Sequence, residues 1–461
     1  MINIVKKLIS VLLIGTFSLS FVACVTNPEN EENGEKTVVE ETYDFGGYEF
    51  TYASPWPIGI YRLGDSEIED KTIVRYEELE EKFNIIVTQV IENVEPNLQT
   101  YIAAGTKSYD LVGSSGQSIR YRYPYYMPLS SISTIDLSSY KWGSDGLKEL
   151  FSYNGELYAI NPMYWPGFPS YPYYQITYND ELFKYFGHDE DPREYYEKGQ
   201  WTWEKFEELL QDCYEITPEN DKKIYSFSSA GNYLYEMAVM SNKGEIVSEA
   251  DGKFEFALDK PEALEAIQWV SDFYSRNKDH IKITNHNQNV FAEGNYTFSC
   301  SPSWYNIIQN ADFPAMKIEN YGWLPFPIGP KGTMGDWPSV ARGADPIVVP
   351  LITEMEPDNI GLIMNDMFEP LEGYTTENIF SDLERYIFHD KRDYELYFDL
   401  VRNSKYNYSI EFDSADGSHT ENSLFVKLSN KCLKGSMTPS EYIASIKEQS
   451  QTVIDEYLNN N

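Results

Sequence analysis

The chain has 461 residues, with 36 Lys and Arg against 73 Asp and Glu, for a formal charge of −37. That sign excludes capture of nucleic acid or of anionic lipid by charge, while 42% hydrophobic residues exclude a disordered acidic tail. Aromatic residues reach 15%, including 38 Tyr, so some of them are expected to line a surface that meets something flat and polar.

In chain order, Lys6 and Lys7 precede an apolar run, Leu8 to Val22, which is short for a bilayer span and ends in Phe21-Val22-Ala23-Cys24. A basic start, an apolar stretch and small residues before the cut predict a secretory signal over 1–23. The Ala-Cys ending resembles a bacterial lipobox, with Phe21 where Leu is usual, and implies lipidation of Cys24. Residues 24–44 are polar and Glu-rich, and read as a flexible acidic tether. Cys213, Cys300 and Cys432 are odd in number and far apart, which predicts buried free thiols rather than disulfides.

Gly47–Ala53 alternates into a strand. Thr72, Tyr76, Leu79 and Phe83 share one face of a helix over Asp65–Phe83. A β-branched strand is expected over Ile85–Ile91, a helix over Asn97–Ala104 closed by Gly105, and a strand over Tyr109–Gly113. This β-α-β-α-β order predicts an α/β fold built on a parallel sheet. Asn154-Gly155 marks a hairpin within Leu150–Ile160. Thr202 caps a helix over Trp203–Tyr214, and Pro261 opens one over Glu262–Arg276. Strands follow at Tyr296–Cys300 and Ile347–Pro350, with a helix opening at Trp304 between them and an amphipathic helix over Pro439–Leu458.

Several stretches, in this order, carry a resemblance. They are Ala103-Ala104-Gly105 with Tyr109-Asp110-Leu111-Val112, Tyr153-Asn154-Gly155-Glu156-Leu157-Tyr158-Ala159-Ile160, Tyr178-Asn179-Asp180-Glu181-Leu182-Phe183, Trp201-Thr202-Trp203-Glu204, Phe291-Ala292-Glu293-Gly294, and Trp323-Leu324-Pro325 through Pro330. Over about residues 48–350 the chain resembles the bacterial extracellular solute-binding proteins of ABC importers, the carbohydrate-type group typified by maltose-binding protein. The resemblance implies a two-lobed, type II periplasmic-binding-protein-like fold, each lobe a mostly parallel sheet flanked by helices, with the ligand cleft between the lobes. It implies a sugar or oligosaccharide ligand, ABC permease partners, a lipid-anchored position on the extracytoplasmic face, a monomer, and neither cofactor nor catalysis. The lobes are expected at 45–156 plus 287–340 and at 157–286 plus 341–461. Crossings are expected near 156–162, 284–290 and 340–348.

A sugar ring offers an apolar face and an edge of hydroxyls, so Trp and Tyr at strand ends, with polar partners, are the natural contacts. The candidate ligand residues are Trp56, Ser114, Ser115, Gln117, Trp165, Tyr233, Glu236, Trp304, Tyr305, Trp337 and Arg342. His188, His280, His286, His389 and His419 form no metal-protease motif, and neither G-x-S-x-G nor a phosphate-binding loop occurs. A secreted carbohydrate-active enzyme and an adhesin-like surface lipoprotein stay as alternatives.

Overall fold

Alternating residues from Tyr48 form strand β1 (Tyr48–Ser54), and the β-branched run forms β2 (Ile85–Ile91). The two pair in parallel over seven positions, from Tyr48 with Ile85 to Ser54 with Ile91. These come from a computed structural model that describes residues 42–54, 67–107, 109–114, 119–163, 175–216, 223–284, 290–302, 317–339, 346–373, 388, 390–403, 424–433, 435–455 and 459. The helix between β1 and β2, Glu67–Phe83, buries Thr72, Leu79 and Phe83 as the spacing predicts. A second helix, Leu98–Ala104, ends at Gly105 in the left-handed conformation.

Strand β3 (Leu111–Gly113) is shorter than expected, because Asp110 turns its carboxylate inward. The Thr51 amide and the Tyr48 hydroxyl each donate to it at 2.7 Å. The buried acid of the Tyr-Asp-Leu-Val stretch thus ties the start of β3 to β1. Gly113 is required at the other end: a Cβ there would sit 2.8 Å from Ser54 Oγ on the neighbouring strand.

The hairpin joins β4 (Ser152–Tyr153) to β5 (Glu156–Leu157). Asn154 and Gly155 both take positive φ, 51° and 81°, which is the demand of a two-residue primed turn. The chain runs on through β6 (Ala159–Ile160), β7 (Ile176–Asn179), β8 (Tyr225–Ala230) and a ribbon of β9 (Val247–Ala250) with β10 (Lys253–Phe256). Then come β11 (Ile281–Thr284), β12 (Tyr296–Cys300), β13 (Tyr321–Leu324) and β14 (Ile347–Val348).

Two five-stranded sheets result, in the orders β2-β1-β3-β14-β6 and β11-β8-β12-β7-β13. Each has one reversed strand: β14 runs against β3 and β6, and β7 against β12 and β13. This sheet membership corrects the expected lobe boundaries. Tyr296–Cys300 and Tyr321–Leu324, expected in the first lobe, pair within the second sheet, while Ala159–Ile160 and Ile347–Val348, expected in the second, belong to the first. The expected crossing near 284–290 falls away with them, because β11 and β12 both pair with β8. The chain changes sheet between β6 and β7, and again between β13 and β14.

Around the second sheet, Phe206, Phe227, Phe273 and Phe298 interlock, and Trp203 stacks on Trp269 at 4.2 Å. The helix Trp203–Asp212 is capped as expected, Thr202 Oγ1 accepting from the Lys205 amide at 3.3 Å, and it stops at Cys213 rather than Tyr214. More of the tyrosine is core than composition suggested: Tyr52, Tyr126, Tyr178, Tyr235 and Tyr397 are all buried. The hydroxyls of Tyr178 and Tyr235 find Asp191 and Ser271, each at 2.9 Å. Cys213, Cys300 and Cys432 are buried free thiols, and burial pushes Cys213 up to about 12 and Cys432 to about 11. Residues Tyr43–Asn461 form one compact unit.

Candidate functional site

Open sheets of this kind bind ligands beyond the carboxyl ends of their parallel strands. In the first sheet that edge carries Ser54, Ile91 and Gly113, with Ser114 next in line; the Ser114 amide donates to the Pro346 carbonyl at 2.8 Å. Ser114 is buried and its hydroxyl donates to the Glu95 carboxylate, as does the hydroxyl of buried Tyr126. The two hydroxyl oxygens lie 3.3 Å apart. Arg122 closes the group, donating to the Glu95 carbonyl at 3.0 Å, with its Nε 4.0 Å from the carboxylate. Burial, then the charge of Glu95, holds the Tyr126 hydroxyl well above its ordinary pKa, so it stays protonated and donates.

In the second sheet the matching edge holds the ends of β8 and β12 and, because β7 is reversed, the start of β7. Cys300 pairs with Ser229 on one side and Ile176 on the other. The register therefore brings Gln175, Ser301 and the opening of the helix Gly231–Ser241 to one edge. Gln175 and Ser301 are 1% and 2% exposed, yet among the described residues both Gln175 amide atoms and Ser301 Oγ lack a hydrogen-bond partner, as does Asn232 Oδ1. Sequence reasoning missed all three residues. A single Gln before a strand has no pattern, and the signal is the unpaired burial itself.

Of the expected site residues, Ser114 lies at the first edge, with its hydroxyl donated to Glu95. Tyr233 is half-buried against the second core, and Glu236, one helical turn after Asn232, is buried within the same helix. Trp337 packs against both cores with its ring 5.0 Å from Tyr196. Trp56, Ser115, Gln117, Trp165, Trp304, Tyr305, Arg342 and the lipidation residue Cys24 lie outside the described residues.

The opposite edge of the second sheet, where β7 ends and β13 begins, is built differently. A cavity of about 320 Å³ there is lined by Asp180, Lys184, Asp191, Arg193, Tyr321 and Asp390, among others. Arg193 grips buried Asp393 through two bonds, 2.6 and 2.7 Å, and also holds Asp191 at 3.0 Å. The Trp323 amide adds a third donor to Asp393 at 3.1 Å. Burial still lifts the Asp393 carboxyl to about 6. Among the described residues no cluster of His, Cys, Asp and Glu is arranged to hold a metal, and no helix is long and apolar enough to cross a membrane.

Residues 68–353 match the model of the bacterial extracellular solute-binding protein family. The chain belongs to that family. Solved structures of the same fold include maltose-bound MalE3 of T. maritima, at TM-score 0.58 and 15% identity, over 88% of this chain and 100% of that one. UgpB from Mycobacterium tuberculosis in complex with glycerophosphocholine aligns at TM-score 0.61 and 16% identity, over 89% and 99%. The cyclic α-maltosyl-1,6-maltose binding protein of Arthrobacter globiformis aligns at 0.61 and 14%, over 90% and 100%. No curated protein sequence matches this chain. The fold is accordingly the two-lobed type II binding-protein fold, and the family is one of extracellular solute-binding proteins.

Proposed function

We propose that this protein captures a sugar or oligosaccharide on the outer face of the cytoplasmic membrane and hands it to the permease of an ABC importer. The observation that carries the reading is the family match over 68–353 on a fold with two sheets, whose carboxyl edges carry hydroxyl and amide groups. The maltose and maltosyl-maltose ligands of the two sugar-binding neighbours support it, and so does the aromatic content, although much of that is core. In this reading Cys24 carries the lipid, residues 25–44 are the tether, the protein works as a monomer, and Trp56, Trp304, Ser115, Gln117, Trp165, Tyr305 and Arg342 complete the cleft. The two sheets close on the ligand about the crossings that follow β6 and β13, and the permease reads the closed form.

Thermal-shift measurements on the full-length protein with maltose, maltotetraose, tagatose and glycerophosphocholine test the ligand class. A saccharide at a hundredfold excess over its Kd stabilises the folded state by about 2.7 kcal/mol. Stabilisation by glycerophosphocholine with no response to any of the three saccharides would replace the carbohydrate reading. For the anchor, cells fed a fatty-acid analogue should label the native protein and not the Cys24→Ala variant.

A further inference from the structure

Inside the second sheet, serine and threonine hydroxyls of β8 and β12 are paired. Ser228 Oγ donates to Ser299 Oγ at 3.0 Å, Ser229 Oγ to the Ala230 carbonyl at 2.9 Å, and Thr297 Oγ1 to the Cys213 carbonyl at 2.9 Å. One or two residues further along the same strands, the pairing stops. Gln175 Oε1, Gln175 Nε2, Ser301 Oγ and Asn232 Oδ1 come from three separate segments brought to one edge by the strand register, and have no partner among the described residues. Folded proteins pair about nine in ten buried polar groups, and each exception costs stability. Four exceptions at one sheet edge, beside serine and threonine hydroxyls of β8 and β12 that are paired, need an outside partner.

The geometry points to Gln175, Ser301 and Asn232 as a half-site that takes neighbouring hydroxyl groups of an uncharged saccharide; this rests on the carbohydrate reading and names the second-lobe residues that serve it. The donor and acceptor inventory decides the chemistry. Oε1 and Oδ1 accept only, Nε2 donates only, and a serine hydroxyl does both. A carboxylate or a phosphodiester offers acceptors alone and leaves two carbonyl oxygens unpaired. An ammonium offers donors alone and leaves Nε2 unpaired. Adjacent ring hydroxyls answer every atom, one donating to Oε1 while the next accepts from Nε2. Both ends of the Gln175 amide are open, so the argument holds whichever end carries the oxygen. None of the three side chains titrates near neutrality.

Two measurements on the full-length wild type, Gln175→Met and Ser301→Ala test this. The first is thermal melting without ligand. Both variants remove an unpaired polar group at nearly constant shape, so their midpoints should equal or exceed that of the wild type. Lower midpoints for both would mean that the atoms have partners within the protein, and would overturn the half-site. The second is calorimetry with maltose, maltotetraose and tagatose as probes and acetate, an anion with acceptors alone, as the control. Gln175→Met should bind the tightest of the three sugars at least tenfold more weakly than wild type, and acetate should bind neither. Equal sugar affinity in wild type and Gln175→Met removes the half-site and leaves the carbohydrate reading standing. A wild type that binds none of the three sugars defeats both.

Discussion

The carboxyl edges of the two sheets are built from similar residues and finished in opposite ways. At the first, Glu95 gathers Ser114, Tyr126 and Arg122 into a closed group. At the second, Gln175, Ser301 and Asn232 are left open. The far edge of the second sheet is closed again, around Arg193 and Asp393. Polar groups that complete one another hold a lobe together. Polar groups buried without partners cost stability in the empty protein, and ligand can supply what they lack. The two kinds of edge should therefore respond to substitution with opposite signs.

The largest effect is expected at the far edge. Arg193→Met leaves Asp393 buried with its charge uncompensated, a change worth about 3–5 kcal/mol. Asp393 sits at about 6, above the ordinary 3.8, so lowering the pH lets the stranded carboxyl take a proton. Denaturant unfolding of wild type and variant should show a deficit that shrinks from pH 7.5 to pH 5. A deficit that stays constant across that range would mean the carboxyl does not carry the cost. Next comes the closed carboxyl edge. Glu95→Leu removes the acceptor that the Ser114 and Tyr126 hydroxyls share and should cost about 2–3 kcal/mol. If Glu95→Leu is neutral while Ser301→Ala is destabilising, the contrast between the edges is reversed. Thr438→Ala sets the ordinary scale away from both edges. It removes a capping box in which Thr438 Oγ1 accepts from the Glu441 amide at 3.3 Å and the Glu441 carboxylate accepts from the Thr438 amide at 3.0 Å. The expected loss is about 1 kcal/mol with sugar affinity unchanged.

How much of this was legible in the sequence follows from what is local. Ile85–Ile91 and Tyr296–Cys300 form strands at the expected limits, and Asn154-Gly155, Gly105 and Thr202 act as written, since turns, caps and β-branched runs are decided by near neighbours. Which sheet a strand joins is decided by pairing with distant chain. The residues of β12 and β13 therefore gave no sign that they belong beside β7 and β8 rather than in the first sheet. The site divides in the same way. Ser114, following a strand that ends in glycine, was readable as an edge residue. Its union with Glu95 and Tyr126, 19 and 12 residues away in sequence, was not. Gln175 was invisible because its distinction lies in what surrounds it. Trp337 and Tyr233 are expected from the sequence as ligand contacts, and both pack against core in the structure, where an aromatic side chain is equally at home.

The smallest expected effect separates the edges by pH. His280 is buried where β11 begins, its ring stacked on Tyr214 at 4.3 Å and its Nδ1 2.7 Å from Ser226 Oγ. Burial holds its pKa below 6.5, against the weaker opposing pull of Asp279 and Glu207. The unfolded chain thus takes up the proton first. The contribution of neutral His280 is complete above about pH 7 and is lost as the pH falls through 6.5, at no more than about 1.4 kcal/mol per pH unit for one proton. Asp393 works the other way near pH 6, because its raised value lets the folded state take a proton that the unfolded chain does not yet hold. The wild-type curve alone would mix the two, so the difference between wild type and His280→Asn is the quantity to measure. That gap should narrow steadily from pH 7.5 to pH 5.5. Over the same interval sugar affinity should stay flat, because Gln175, Ser301 and Asn232 do not titrate. A gap independent of pH would contradict the buried neutral imidazole, and an affinity that follows the stability curve would put a titrating group at the open edge.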